Sequence, residues 1–139
     1  MTIAKYLWEL GSLIILLLGS IHLYYTFFSD KFLTRDKSLK PAMEKSSPVL
    51  TKQTTMWKAW IGFNASHSSG AMFIGIVNMY LAWQYFPVLQ SAYFFFIFNI
   101  ITIAFYVWLA KKYWFKVPFI GVSITLISFI VSFILVLAS

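Results

Sequence analysis

The stretch VPFIGVSITLISFIVSFILVLA, residues 117–138, decides the fold class because it contains no charged residue. The hydrocarbon core of a bilayer requires about 20 consecutive apolar residues in a helix, so this stretch predicts a transmembrane helix. Three further runs qualify in the same way, at residues 7–28, 60–83 and 89–110. The runs are continuous and lack the period-two alternation of a membrane-spanning β-barrel. We therefore predict an all-α integral membrane protein, a four-helix bundle that forms one domain over residues 1–139.

The composition agrees with a membrane environment. Hydrophobic residues make up 60% of the chain and charged residues 11%, whereas a soluble domain is nearer to a quarter charged. The absence of cysteine excludes disulfides, thiolate metal sites and cysteine nucleophiles. The net charge of +7 resides mainly in two loops beside apolar spans. This placement predicts the lipid bilayer as a partner and argues against nucleic-acid binding.

The distribution of basic residues predicts the direction of the chain. Seven basic residues lie in the loop after the first span: Lys31, Arg35, Lys37, Lys40, Lys45, Lys52 and Lys58. Three more lie between the third and fourth spans, and the opposite side carries only Lys5. Because positive residues are retained on the cytoplasmic face, we predict both termini outside and a long basic cytoplasmic loop between the first two helices. Tryptophans near span ends, such as Trp8 and Trp83, are expected among the lipid headgroups.

Each span carries one stripe of polar or small residues at helical spacing, and the stripes are expected to face inward because hydrocarbon cannot satisfy their hydrogen bonds. His22 lies 14 residues after Trp8, and His67 lies 16 residues before Trp83. The two histidines are thus predicted within about one helical turn of the same depth. Ionisable residues inside a membrane are costly and often functional. The candidate ligand-binding residues are His22, Asn64, His67, Ser68, Asn99 and Tyr106.

Three interpretations of this polar layer remain open. His22 and His67 could bind a haem b from either side. The layer could bind, or act on, a lipophilic small molecule such as a quinone or an isoprenoid. The polar groups could also only hydrogen-bond across helices and fix their register. Two imidazoles without a carboxylate are too few for a zinc site, so no metal is predicted unless the histidines bind haem.

No pattern in the chain names a reaction, so we assign no catalytic residue and leave open whether the protein is an enzyme. Binding of a lipophilic small molecule is the favoured function, and a haem b electron carrier is a further alternative. A non-enzymatic membrane scaffold or accessory subunit is the main alternative. Gly62, Ser66 and Gly70 are four apart, a spacing that lets helices approach closely. We expect this stripe to pack inside the bundle rather than in a homodimer or larger complex.

Residues 57–70, WKAWIGFNASHSSG, carry a resemblance together with GSIHLYYTFF before them and SPVLTKQTTMW between. With its GFN-x-SHS element, the chain resembles a family of small, uncharacterised four-helix bacterial inner-membrane proteins over roughly its first 80 residues. The resemblance implies a multi-pass protein of the bacterial inner (cytoplasmic) membrane. It also implies a special role for His22, Asn64 and His67, and it supplies no activity.

Overall fold

The computed structural model describes residues 2–139, and every regular element in that range is helical. In chain order the helices are α1 (Thr2–Phe28), α2 (Leu39–Lys45), α3 (Met56–Ser91), α4 (Tyr93–Tyr113) and α5 (Lys116–Leu137). All but α2 are long and apolar enough to cross a membrane. The structure therefore confirms an all-α chain with four helices suited to spanning a bilayer, as in a multi-pass membrane protein.

The helix α3 extends beyond the apolar run 60–83 at both ends. It begins at Met56 because Thr55 caps it: the Oγ1 of Thr55 accepts a hydrogen bond from the backbone N–H of Lys58 at 3.3 Å. Its backbone is kinked at Tyr85, within the connection that the sequence predicts between residues 83 and 89, and the helix then continues to Ser91. A single residue, Ala92, separates α3 from α4.

Pro87 bends α3 instead of ending it. Proline has no N–H, so the carbonyl of Trp83, four residues earlier, loses its helical partner. The backbone departs from helical geometry at Tyr85, where φ is −132° and ψ is 34°. The Nζ of Lys5 donates to the Trp83 carbonyl at 3.4 Å, and the same ammonium lies 3.8 Å from a carboxylate oxygen of Glu9. Lys5 therefore replaces part of the hydrogen bonding that Pro87 removes.

The chain divides into two compact units, to which α1 and α3 both contribute residues. The first unit holds residues 2–18 and Ala71–Ser139, and its core surrounds the indole of Trp8. Trp8 is fully buried, with its ring stacked on Phe129 at 4.0 Å and edge-on to Phe96 at 4.5 Å. Helix packing thus encloses this indole between two aromatic rings, and its position at the depth of the headgroups stays a prediction.

Buried polar residues connect the helices of the first unit. The Nδ2 of Asn78 donates to the Oδ1 of Asn99 at 2.7 Å, and Ser132 donates to the carbonyl of Ala4 at 2.7 Å. Thr125 is likewise fully buried. These residues belong to the stripes that the sequence places on the inner faces, and their burial confirms that placement. Hydrogen bonds between helices of this kind satisfy polar groups that lipid could not.

The second unit covers Gly19–Gly70, which includes the basic segment between α1 and α3. This segment is folded, because α2 lies within it and the N–H of Met56 donates to the carbonyl of Ser46 at 2.8 Å. On α2, Lys40 forms an ion pair with Glu44 at 3.7 Å and lies 5.3 Å above the ring of Trp57. The segment is therefore packed against the start of α3 by specific contacts.

The stripe of small residues at the start of α3, Gly62, Ser66 and Gly70, makes no close helix contact within residues 2–139. A Cβ added at Gly62 or Gly70 would meet no atom within 4 Å, and Ser66 is exposed. The prediction that this stripe packs inside the bundle is wrong. Close helix packing is found at Gly75 instead, where an added Cβ would lie 2.8 Å from the carbonyl oxygen of Ser12.

Candidate functional site

Three of the candidate residues meet in the second unit. His22 lies on α1, and Asn64 and His67 lie on α3, one turn apart. The Nε2 of His22 is 3.0 Å from the Oδ1 of Asn64. The rings of His22 and His67 meet edge to face, with centroids 5.4 Å apart and planes at 73°. Two histidines from different helices are thus in direct contact, and we call His22, Asn64 and His67 the histidine cluster.

The orientation of the Asn64 amide determines the tautomer of His22. The Nδ2 of Asn64 donates to the carbonyl of Trp60 at 2.8 Å, so its Oδ1 faces the histidine. Since an amide oxygen only accepts, the Nε2 of His22 must carry the hydrogen. In the neutral ring the lone pair then lies on Nδ1. Within residues 2–139 this Nδ1 has no hydrogen-bond partner, so it can accept a bond from a ligand.

The histidine cluster lies inside apolar helices but close to the basic segment. His22 is six residues before the end of α1, which corresponds to roughly 9 Å along the helix. Asn64 and His67 are eight and eleven residues after the start of α3, or roughly 12 and 16 Å. The cluster therefore lies in the parts of α1 and α3 that are nearest to that segment.

An aromatic residue that the sequence analysis missed, Phe32, covers one side of the cluster. The ring of Phe32 contacts the ring of His22 at 4.6 Å. Trp60 holds Phe32 in place, because its indole Nε1 donates to the Phe32 carbonyl at 3.3 Å and the two rings meet at 6.4 Å. Phe32 lies outside every predicted span, where helical periodicity gives no signal. Only the folding of the basic segment brings it to the cluster.

Hydroxyl groups beside the cluster are bonded to their own helices. Ser68 is fully buried, and its Oγ donates to the carbonyl of Asn64 at 2.7 Å. Thr26 is also buried, and its Oγ1 donates to the carbonyl of His22 at 2.9 Å. Ser68, a predicted ligand-binding residue, therefore donates to the backbone at Asn64. Its contribution to the site is to support the residue that orients His22.

Asn99 and Tyr106, the other two candidates, lie in the first unit and have neighbours of their own there. Asn99 is buried and accepts the hydrogen bond from Asn78 described above. The half-buried ring of Tyr106 lies 6.2 Å from the ring of Trp114. The structure thus places four of the six candidates in the unit of the histidine cluster and two in the other unit.

The placement of the two histidines does not fit a haem. Axial ligation needs the imidazoles on opposite faces of a flat macrocycle, each with a nitrogen directed at the iron. Here the two rings touch each other, and the Nε2 of His22 faces Asn64. In the part of the chain that the structure describes, no three His, Asp or Glu side chains are grouped so as to hold a metal ion.

Comparison with models of protein families, with curated proteins and with solved structures finds no match to this chain. The family resemblance carried by residues 57–70 therefore stays a prediction.

Proposed function

We propose that this protein binds a lipophilic small molecule, such as a quinone or an isoprenoid, at the histidine cluster. The observation that carries the proposal is the hydrogen bond between His22 and Asn64, which leaves the lone pair of His22 Nδ1 available inside an apolar helix pair. A hydroxyl group on an otherwise apolar ligand, such as an isoprenoid alcohol or the quinol form of a quinone, would donate to this nitrogen, whereas the carbonyl oxygens of the oxidised quinone only accept hydrogen bonds. A ligand that reaches the cluster from the bilayer needs no aqueous path.

A role limited to fixing the register between helices explains the histidine cluster less well than ligand binding does. A hydrogen bond between helices in a membrane contributes on average about 0.6 kcal/mol, whereas ionisable side chains in the apolar region are costly to place there. The Asn78–Asn99 bond already connects α3 to another helix through uncharged amides. Two histidines in ring contact exceed what register requires, and this excess supports a role in binding.

The setting of the proposed site is the bacterial inner membrane, with both termini outside and the basic segment in the cytoplasm. The positive-inside rule supports this orientation. The chain contains no cysteine, so Lys40→Cys would provide a single labelling site. We expect a membrane-impermeant maleimide to label this variant only after the cells are opened. Labelling of Lys40→Cys in intact cells would show that the basic segment lies outside the cytoplasm, which contradicts the proposed orientation.

The binding proposal is tested by purifying the protein in mild detergent and identifying bound molecules by native mass spectrometry after extraction controls. We expect a lipophilic molecule at close to one per chain in the wild type. His22→Phe keeps an aromatic ring and removes both nitrogens, so this variant should lose the molecule while its melting temperature changes little. An absorption spectrum of the same sample tests the haem alternative, which predicts a Soret band that His22→Phe and His67→Leu abolish.

The matched control is Asn78→Leu, which removes a buried amide pair from the first unit and leaves the histidine cluster intact. It should lower stability and keep the bound molecule. If His22→Phe retains as much of the molecule as the wild type, binding at the cluster is wrong. A wild type that purifies empty and colourless would favour the alternative, a non-enzymatic scaffold or accessory subunit.

A further inference from the structure

An open pocket of about 370 Å³ lies beside the histidine cluster, within the second unit. The residues that line it come from the basic segment, α2 and the start of α3: Lys31, Phe32, Leu33, Thr34, Met43 and Trp60. Phe32 forms part of this lining and also contacts the ring of His22 at 4.6 Å. One aromatic ring therefore borders both the pocket and the cluster.

The lining is apolar along most of its extent and cationic at one position. Phe32 and Trp60 supply two aromatic surfaces, and Leu33 and Met43 supply aliphatic ones. Lys31 is the charged residue of the lining, and its side chain is exposed. Such a pocket suits an amphiphile, since one part can lie against the apolar side chains while a charged end meets the ammonium.

Lys31 also lacks a counterion within residues 2–139. Its sequence neighbour Asp30 forms no ion pair with it, whereas Lys40 is already paired with Glu44. The carboxylate of Asp36 is occupied in turn by the N–H and the hydroxyl of Ser38, at 2.8 and 2.7 Å. The lysine of the pocket is therefore available to an anion from outside the chain.

Other basic residues of the same segment add to the positive charge of Lys31. Residues 29–59 contain seven basic and three acidic side chains, a net charge of +4. Basic segments next to transmembrane helices attract anionic lipids, whose headgroups lie at that depth. Lys31 follows the end of α1 at Phe28 by three residues, so it lies where a lipid headgroup would be.

We propose that the pocket binds an anionic membrane lipid, with Lys31 contacting the headgroup and the Phe32–Trp60 side holding the start of its tail. This inference goes beyond the proposed function, because the lipid is an amphiphile with a negatively charged head and is distinct from the uncharged molecule proposed at the histidine cluster. The start of the tail lies against Phe32 and Trp60, and the headgroup stays near the basic segment.

The test is native mass spectrometry of the purified protein titrated with phosphatidylglycerol or with phosphatidylcholine of the same acyl chains. We expect the wild type to prefer the anionic lipid by about fivefold, which is the upper range for one exposed ion pair. Lys31→Gln should reduce this preference to about twofold or less. The control Lys52→Gln removes an exposed lysine from the same segment, outside the pocket, and should keep the preference.

Equal binding of the two lipids by the wild type would overturn the inference. So would an equal loss in Lys31→Gln and Lys52→Gln, because that result would show general attraction to the basic segment. Inorganic phosphate at millimolar concentration should not displace the lipid. Displacement by phosphate alone would show an anion site without a lipid tail, which also contradicts the proposal.

The same titration with His22→Phe separates this inference from the proposed function. If the anionic preference depends on Lys31 while the bound molecule is indifferent to His22, the pocket stands and binding at the histidine cluster fails. If His22→Phe loses the co-purified molecule but the wild type binds both lipids equally, binding at the histidine cluster is supported and lipid binding in the pocket is contradicted.

Discussion

Replacing Gly75 by alanine should destabilise the protein because α1 and α3 touch at this position. The added Cβ would lie 2.6 Å from the Cβ of Leu16, 2.8 Å from its backbone nitrogen and 2.8 Å from the carbonyl oxygen of Ser12. Two of these three atoms belong to the backbone of α1 and cannot rotate away. Carbon atoms in contact prefer separations of about 3.5–4.0 Å, so the helices would have to separate locally by roughly 1 Å.

The cost of such overpacking is about 1–3 kcal/mol. Alanine also improves helix propensity by about 1 kcal/mol over glycine, which partly hides the clash. Gly70→Ala is the matched control, since Gly70 lies on the same helix and an added Cβ there meets nothing within 4 Å. Because the propensity gain is common to both variants, the difference between them isolates the clash. We expect Gly75→Ala to be less stable than Gly70→Ala by about 1–3 kcal/mol.

The assay is unfolding in mixed micelles as the fraction of denaturing detergent rises, followed by circular dichroism. Gly70→Ala should unfold at the same detergent fraction as the wild type or later, and Gly75→Ala earlier than both. If the two variants unfold together, α1 and α3 do not approach at Gly75 as described. A loss confined to Gly70→Ala would instead show that the exposed stripe packs against another helix.

Two further predictions concern polar contacts. A double-mutant cycle of Asn78→Leu and Asn99→Leu should give a coupling free energy of about 0.6–1.7 kcal/mol in the same unfolding assay, as for other hydrogen bonds between membrane helices; strictly additive effects would mean that the amides do not bond. The hydrogen bonds from the Ser38 hydroxyl and N–H hold the pKa of the Asp36 carboxyl below its ordinary value. The contribution of these two hydrogen bonds to folding stability is therefore fully present above the ordinary carboxyl pKa. It is lost as the pH falls through the lowered pKa of Asp36. Ser38→Ala should raise this pKa in a carboxyl NMR titration, and an unchanged midpoint would contradict the contact.

The positions of the spanning helices follow from the sequence because their signal is local. A run of apolar residues must be helical in a bilayer wherever its neighbours lie, so the number of spans and their approximate ends can be read directly. The inward direction of Thr125, Asn78 and Ser132 follows as well, since each belongs to a stripe with helical spacing. The extension of α3 through Pro87 could not be read in this way. It depends on packing and on Lys5, which replaces a lost hydrogen bond from far away in the chain.

The histidine pair was predicted at one depth from residue counts alone, because rise per residue is a property of the helix and not of the fold. That the two rings touch, and that Asn64 orients His22, are matters of side-chain direction and helix distance. These depend on contacts between residues more than 40 positions apart. Phe32 joins the site for the same reason, since the folding of an irregular segment leaves no periodic trace in the sequence.

By itself the sequence determined an all-helical chain with four helices able to span a membrane and polar stripes facing inward, because burial of apolar surface and satisfaction of backbone hydrogen bonds are imposed residue by residue. The tertiary structure decided which polar residues share a site. It buried Trp8 between two aromatic rings and brought His22 to Asn64. Among residues 2–139 it left no atom within 4 Å of a Cβ added at Gly62 or Gly70. Those outcomes depend on which helix faces meet and how closely, and that depends on the packing of all side chains at once.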